Sequence, residues 1–71
     1  MRYVDFRQAI LSELRRNRSG LTWPQLRDRL DLPYRSPCYE WLRRMEREDG
    51  LVRKPGVGRA LVWKVENRRR N

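Results

Sequence analysis

Residues 22–50 read TWPQLRDRLDLPYRSPCYEWLRRMEREDG, and the fold turns on them. Thr22 is placed to cap a helix: its hydroxyl can accept the amide of Gln25, and the Gln25 side chain can reach back to the amide of Thr22. Pro24 falls in the first turn, where a missing N–H breaks no hydrogen bond. The spacing therefore predicts a helix from Trp23 to about Leu30. Asp31-Leu32-Pro33-Tyr34-Arg35 then reads as a tight, proline-marked turn. Ser36-Pro37 repeats the start signal, a cap residue with proline at the first helical position. Asp49-Gly50 supplies the stop, with Gly50 free to take the left-handed conformation that closes a helix. The stretch is expected to be a helix-turn-helix whose second helix spans 36–49.

Working outward, residues 3–16 carry Tyr3, Phe6, Ile10 and Leu14 at helical spacing, an inward stripe for another helix. Val4 and Leu11 lie beside that stripe and widen its apolar arc. They are either a partly covered flank or the contact of a homodimer. Asn17-Arg18-Ser19-Gly20 is a turn signal, and Leu21 is expected in a very short strand. After Gly50 the period changes. Leu51-Val52-Arg53-Lys54 and Ala60-Leu61-Val62-Trp63-Lys64-Val65 are rich in β-branched and aromatic residues, with Leu61, Trp63 and Val65 alternating onto one face. Pro55-Gly56-Val57-Gly58-Arg59 is the expected hairpin tip. The fold class expected is α+β, mainly α: one domain over 1–66, followed by a disordered basic tail over 67–71 that includes Arg68, Arg69 and Arg70.

At 71 residues the chain has little surface to spare, so nearly every large apolar side chain is needed for the core and a deep catalytic cleft is not expected. Trp23 and Trp63 are assigned to that core rather than to base stacking. Cys38, Leu42 and Met45, at i, i+4 and i+7, form the expected inward face of the third helix, with Trp41 beside them. The chain has no histidine, the commonest general base and metal ligand, and its single cysteine has no partner for a disulfide or a nucleophile pair. Glu46, Glu48 and Asp49 alternate with arginines; Arg47 and Arg53 are expected to answer them. No enzyme activity, cofactor or metal is expected. No apolar run reaches membrane-spanning length and the N-terminus lacks a signal-peptide core, so a cytoplasmic protein is expected, nucleoid-associated in a prokaryote.

The net charge is +9, and all but two of the 18 basic residues are arginine. Such a field attracts polyanions, and arginine suits bidentate contact with phosphate and guanine. On the third helix Ser36, Tyr39, Glu40 and Arg43 occupy the first two turns of the outer face, the zone that reaches base edges when a helix lies in the major groove. Arg43 suits guanine O6 and N7, and Glu40 suits cytosine N4. Tyr34 and Arg35 in the turn, with Arg44 and Arg47 further along the helix, are placed for phosphate. Ion pairs along the helix, Glu40 with Arg44 and Arg44 with Glu48, are worth only about 0.3 kcal/mol each and do not account for the charge excess. Arg53, Lys54 and Arg59 surround the glycines of the hairpin, where backbone amides can approach phosphate closely.

The order helix, short strand, helix, turn, helix, hairpin resembles the winged-helix superfamily of DNA-binding domains over roughly residues 3–65. The most recognisable piece is EDGLVRKPGVGRALVWKV, in which a helix ends at a glycine and a basic, glycine-rich wing and an apolar return strand follow. The pattern is similar to that of small prokaryotic transcriptional regulators. The ending LVWKV is also similar to the Z-DNA-binding branch. That branch has an asparagine and a tyrosine where this helix has Tyr39 and Arg43, and prolines where this wing has Gly56-Val57-Gly58. The resemblance implies a binder of double-stranded DNA, with helix 36–49 in the major groove and wing 53–59 on the backbone or in the minor groove. RNA binding in a ribonucleoprotein and a protein-interaction role in a transcription or replication assembly are the alternatives.

Overall fold

The capping box at Thr22 forms as its residues require: Gln25 N donates to Thr22 Oγ1 at 3.4 Å and Thr22 N donates to Gln25 Oε1 at 2.9 Å. It opens one of six elements, seen in a computed structural model that describes residues 1–56, 58 and 60–66. These are α1 (Tyr3–Arg16), β1 (Leu21–Thr22), α2 (Trp23–Leu30), α3 (Tyr39–Glu48), β2 (Leu51–Pro55) and β3 (Leu61–Val65). The molecule is α+β, three helices with a three-stranded antiparallel sheet in the order β1-β3-β2. Leu21 faces Trp63 across the sheet and Thr22 faces Val62. On the other side of β3, Leu51 pairs with Val65, Arg53 with Trp63 and Pro55 with Leu61. Val57, Arg59 and the expected tail at 67–71 lie outside the described residues.

α1 buries Phe6, Ile10, Leu11 and Leu14. Leu11 is 2% exposed, which removes it from the possible dimer contact and leaves it as covered flank: the apolar arc is wide because the core reaches further round the helix. Val4, its expected companion, is 49% exposed. Asn17 closes α1, its Nδ2 donating to the carbonyl of Glu13 at 2.8 Å. α2 contributes Leu26, and Asp31 ends it in the left-handed region at φ 53°. That conformation is one aspartate tolerates better than most residues. It lets Leu32 N return to Arg27 O at 3.0 Å and turns Leu32 into the core.

α3 starts later than the Ser36-Pro37 signal predicts. The first residue of the helix is Tyr39, and Cys38 stands at the N-cap in an extended conformation with no side-chain cap. Before the helix, the Arg35 carbonyl is tied to α2, accepting from Trp23 Nε1 at 2.9 Å and Arg27 Nη1 at 3.3 Å. Cys38 is exposed rather than inward, because the i, i+4 spacing to Leu42 places it inside only where its own backbone is helical. Leu42 and Met45 are fully buried as expected. Gly50 follows α3 at φ 75°, the left-handed stop.

The core joins the α1 residues to Leu21, Leu26, Leu32, Leu42, Met45, Leu51 and Trp63. Aromatic rings fill its edge: Phe6 lies 5.1 Å from Trp41, and Trp23 stacks on Trp63 at 5.5 Å with 22° between the planes. On the opposite face of the sheet, Val62 is gripped by two glycines. A Cβ on Gly20 would fall 2.3 Å from Val62 Cγ1, and one on Gly56 would fall 2.4 Å from Val62 Cγ2. No helix among the described residues is long and apolar enough to cross a membrane.

Candidate nucleic-acid interface

α3 presents Tyr39, Arg43 and Arg47 as one outward stripe, four residues apart, with Glu40 and Arg44 beside it; all five are exposed. Tyr39 is 56% exposed. Arg43 and Arg47 make no ion pair with any described residue, so their guanidinium groups are available to an anion. Arg44 is engaged: it pairs with Glu48 at 3.3 Å and lies over the Tyr3 ring, 4.5 Å from its centre. Glu40, expected to share Arg44, has no ion pair among the described residues.

Of the two arginines expected to answer the acidic residues at the end of α3, Arg53 does so and Arg47 does not. Arg53 takes Glu46 at 3.1 Å. Arg44 takes Glu48. Asp49 goes to Arg7 of α1, whose Nε donates to Oδ2 at 2.8 Å while Nη2 donates to Oδ1. Arg47 pairs with none of them. A carboxylate at the negative end of a helix needs a cation, and Arg7 supplies one from a partner 42 residues away. That hydrogen bond holds the Arg7 guanidinium pKa above its ordinary value.

The remaining expected contacts divide. Ser36 and Arg35 are exposed in the segment before α3, and the Arg35 side chain has no ion pair among the described residues. Tyr34 is half-buried, its ring edge-on to Phe6 at 6.3 Å, so most of it belongs to the core. Lys54 is exposed but pairs with Glu66 at 3.1 Å. Arg59 is outside the described residues. Arg53 stands apart from the others: with Leu51 buried and a period of two along β2, it falls on the inward face of the hairpin, opposite Trp63. That alternation is visible in the sequence and separates Arg53 from Lys54. A shallow groove of about 240 Å³ opens between α2, the start of α3 and the hairpin, lined by Trp23, Pro37, Tyr39, Arg53, Leu61 and Trp63 among others. Leu61 is 41% exposed there, so the strand face expected to be apolar and covered runs off the core at its first residue.

No family of known sequences, no curated protein and no solved structure matches this chain.

Proposed function

We propose that the chain is a winged-helix domain that binds double-stranded DNA and acts as a transcriptional regulator, with α3 in the major groove and the β2–β3 hairpin on the adjacent backbone or minor groove. The observation that carries this reading is the stripe Tyr39–Arg43–Arg47: an exposed ring and two arginines without ion pairs among the described residues, on one helix of a chain with net charge +9. The element order, with β1 pairing to the central strand β3 behind a helix-turn-helix, supports the winged-helix assignment. Arg43 reads bases, and Arg35 and Arg47 hold phosphate.

The two arginines assigned to phosphate, Arg35 and Arg47, set a floor on the salt dependence. Each phosphate neutralised contributes about 0.9 to the slope of log affinity against log salt, so two give roughly −1.8, and any further phosphate contact makes it steeper. A labelled duplex titrated at two salt concentrations tests this. Absence of binding at low salt, or binding indifferent to salt, refutes the reading. Arg43→Ala is expected to weaken a sequence selected from a random duplex pool by about 1–3 kcal/mol more than it weakens random DNA. Structured RNA added as competitor distinguishes duplex DNA from RNA as the preferred partner.

A further inference from the structure

The guanidinium of Arg53 is held on three sides. Its Cζ lies 5.7 Å from the Trp63 ring centre and 5.8 Å from the Tyr39 ring centre, both within the roughly 6 Å reach of a cation–π contact. Its Nε donates to Glu46 Oε2 at 3.1 Å. Tyr39 is the first residue of α3, Glu46 lies near its end, and Trp63 sits in the central strand. One side chain therefore ties both ends of α3 to the hairpin.

We propose that Arg53 is a positioning residue: it fixes the pose of the Tyr39 ring, and through that ring the sequence preference of the interface, and it is not a phosphate contact. This rests on the DNA-binding reading above. Three features argue for it. Arg53 sits on the inward face of β2, while Lys54 takes the outward face. Its charge is already answered by Glu46, and its side chain is only 20% exposed, so reaching a phosphate would break the pair and uncover the rings. Tyr39 projects from the helix with most of its surface in solvent. A ring that discriminates between bases has to be held by packed neighbours, and Arg53 stands between it and Trp63. A guanidinium is flat, with N–H donors along its edge and faces that stack on aromatic rings, so it suits contact with two rings and a carboxylate together better than a compact ammonium group does.

The test compares Arg53→Met, which keeps bulk without charge, with Arg53→Lys, which keeps charge and the pairing with Glu46 without the plane. Each is titrated against a duplex selected from a random pool and a scrambled duplex of equal length, over a salt series. Both variants are expected to lose about tenfold on the selected duplex and less than about twofold on the scrambled one, with the salt slope unchanged. Tyr39→Ala is expected to lose the same discrimination, and Arg53→Met added to it is expected to lose no more. A phosphate contact behaves otherwise: Arg53→Met weakens both duplexes alike and flattens the slope by about 0.9, while Arg53→Lys binds as wild type. That outcome overturns the proposal. The Tyr39 ring-proton shifts of the free protein give a readout independent of DNA. They are expected to move in both variants whose amide spectra remain folded, and unmoved shifts also overturn it. If the wild-type chain binds neither duplex at low salt, the DNA-binding reading fails and the specificity role falls with it, while the ring shifts still decide whether Arg53 positions Tyr39.

Discussion

Tyr3→Phe is expected to stabilise this protein. The hydroxyl oxygen of Tyr3 is buried and has no hydrogen-bond partner among the described residues. A buried hydroxyl without a partner costs about 1–3 kcal/mol, because it has left water and gained nothing in exchange. Removing the oxygen leaves the ring and its neighbours in place: Trp41 at 5.6 Å and the Arg44 guanidinium over its face. Taking the lower end of the range, to allow for a slightly weaker cation–π contact with phenylalanine, the gain is about 1 kcal/mol. In a domain of this size that corresponds to a rise of roughly 4–8 °C in melting temperature. Thermal unfolding followed by circular dichroism at neutral pH measures it. A lower melting temperature in Tyr3→Phe would mean that the hydroxyl has a partner, and the reasoning would be wrong. A pH series supplies an independent check. Burial raises the Tyr3 pKa above its ordinary value of 10.0, against the opposing charge of Arg44. Between the ordinary and the raised value the unfolded chain has released a proton that the folded chain still holds. The stability of the wild type therefore falls as pH rises above about 10, and Tyr3→Phe is expected to lack that contribution to the fall.

The Arg7–Asp49 pair is unevenly buried, with side chains 35% and 6% exposed. Arg7→Ala strands a nearly buried carboxylate at the negative end of α3 and is expected to cost about 3 kcal/mol; Asp49→Ala leaves an arginine that can turn to water and is expected to cost about 1 kcal/mol. Urea titrations giving equal losses would contradict this asymmetry. Gly56→Ala drives a methyl group into Val62 and is expected to cost about 1–3 kcal/mol. Since Val62→Ala removes the obstacle, the double variant should be less unstable than the sum of the two; simple additivity in a thermal double-mutant cycle would count against the clash. Cys38 is exposed, so a thiol reagent is expected to label the native protein at nearly its rate on the unfolded chain, with no loss of helical ellipticity. A thiol that reacts only in denaturant would restore the inward placement.

The legible parts of this fold are those whose signals are short. The capping box spans Thr22 to Gln25, and α2 begins where it says. The stripe through Phe6, Ile10 and Leu14 gives the bounds of α1, and Leu21 marks β1, although the sequence does not say that its partner is the distant Trp63. The Ser36-Pro37 signal misleads: it obeys the same local rules as Thr22-Trp23-Pro24, yet α3 begins only at Tyr39, and the contact that ties the preceding segment down, the Arg35 carbonyl on Trp23, reaches across to another element and is not written in the local sequence. The displacement of Cys38 follows from that error. In the candidate interface the sequence separates exposed from buried positions well along α3, because the helical period does it. It does not tell which arginines are already spent on ion pairs. That depends on contacts such as Arg7 with Asp49 and Arg53 with Glu46, which exist only once the helices and the hairpin have been assembled.

The order of the sheet has a bearing on how the molecule acquires its shape. β3 is the last strand in the described chain and the middle strand of the sheet. Until it arrives, β1 has no neighbour to bond with, Trp23 lacks the ring it stacks on, and Arg53 lacks one of its two aromatic surfaces. The β2–β3 hairpin is a local structure and can form early, but closing Leu21 onto Trp63 joins points 42 positions apart, and such distant closures slow folding. A fragment that stops at Pro55 keeps all three helical sequences and still lacks the strand that holds them in register. The helix proposed to read DNA is thus completed by residues that never touch it in sequence, and its competence arrives together with the final strand.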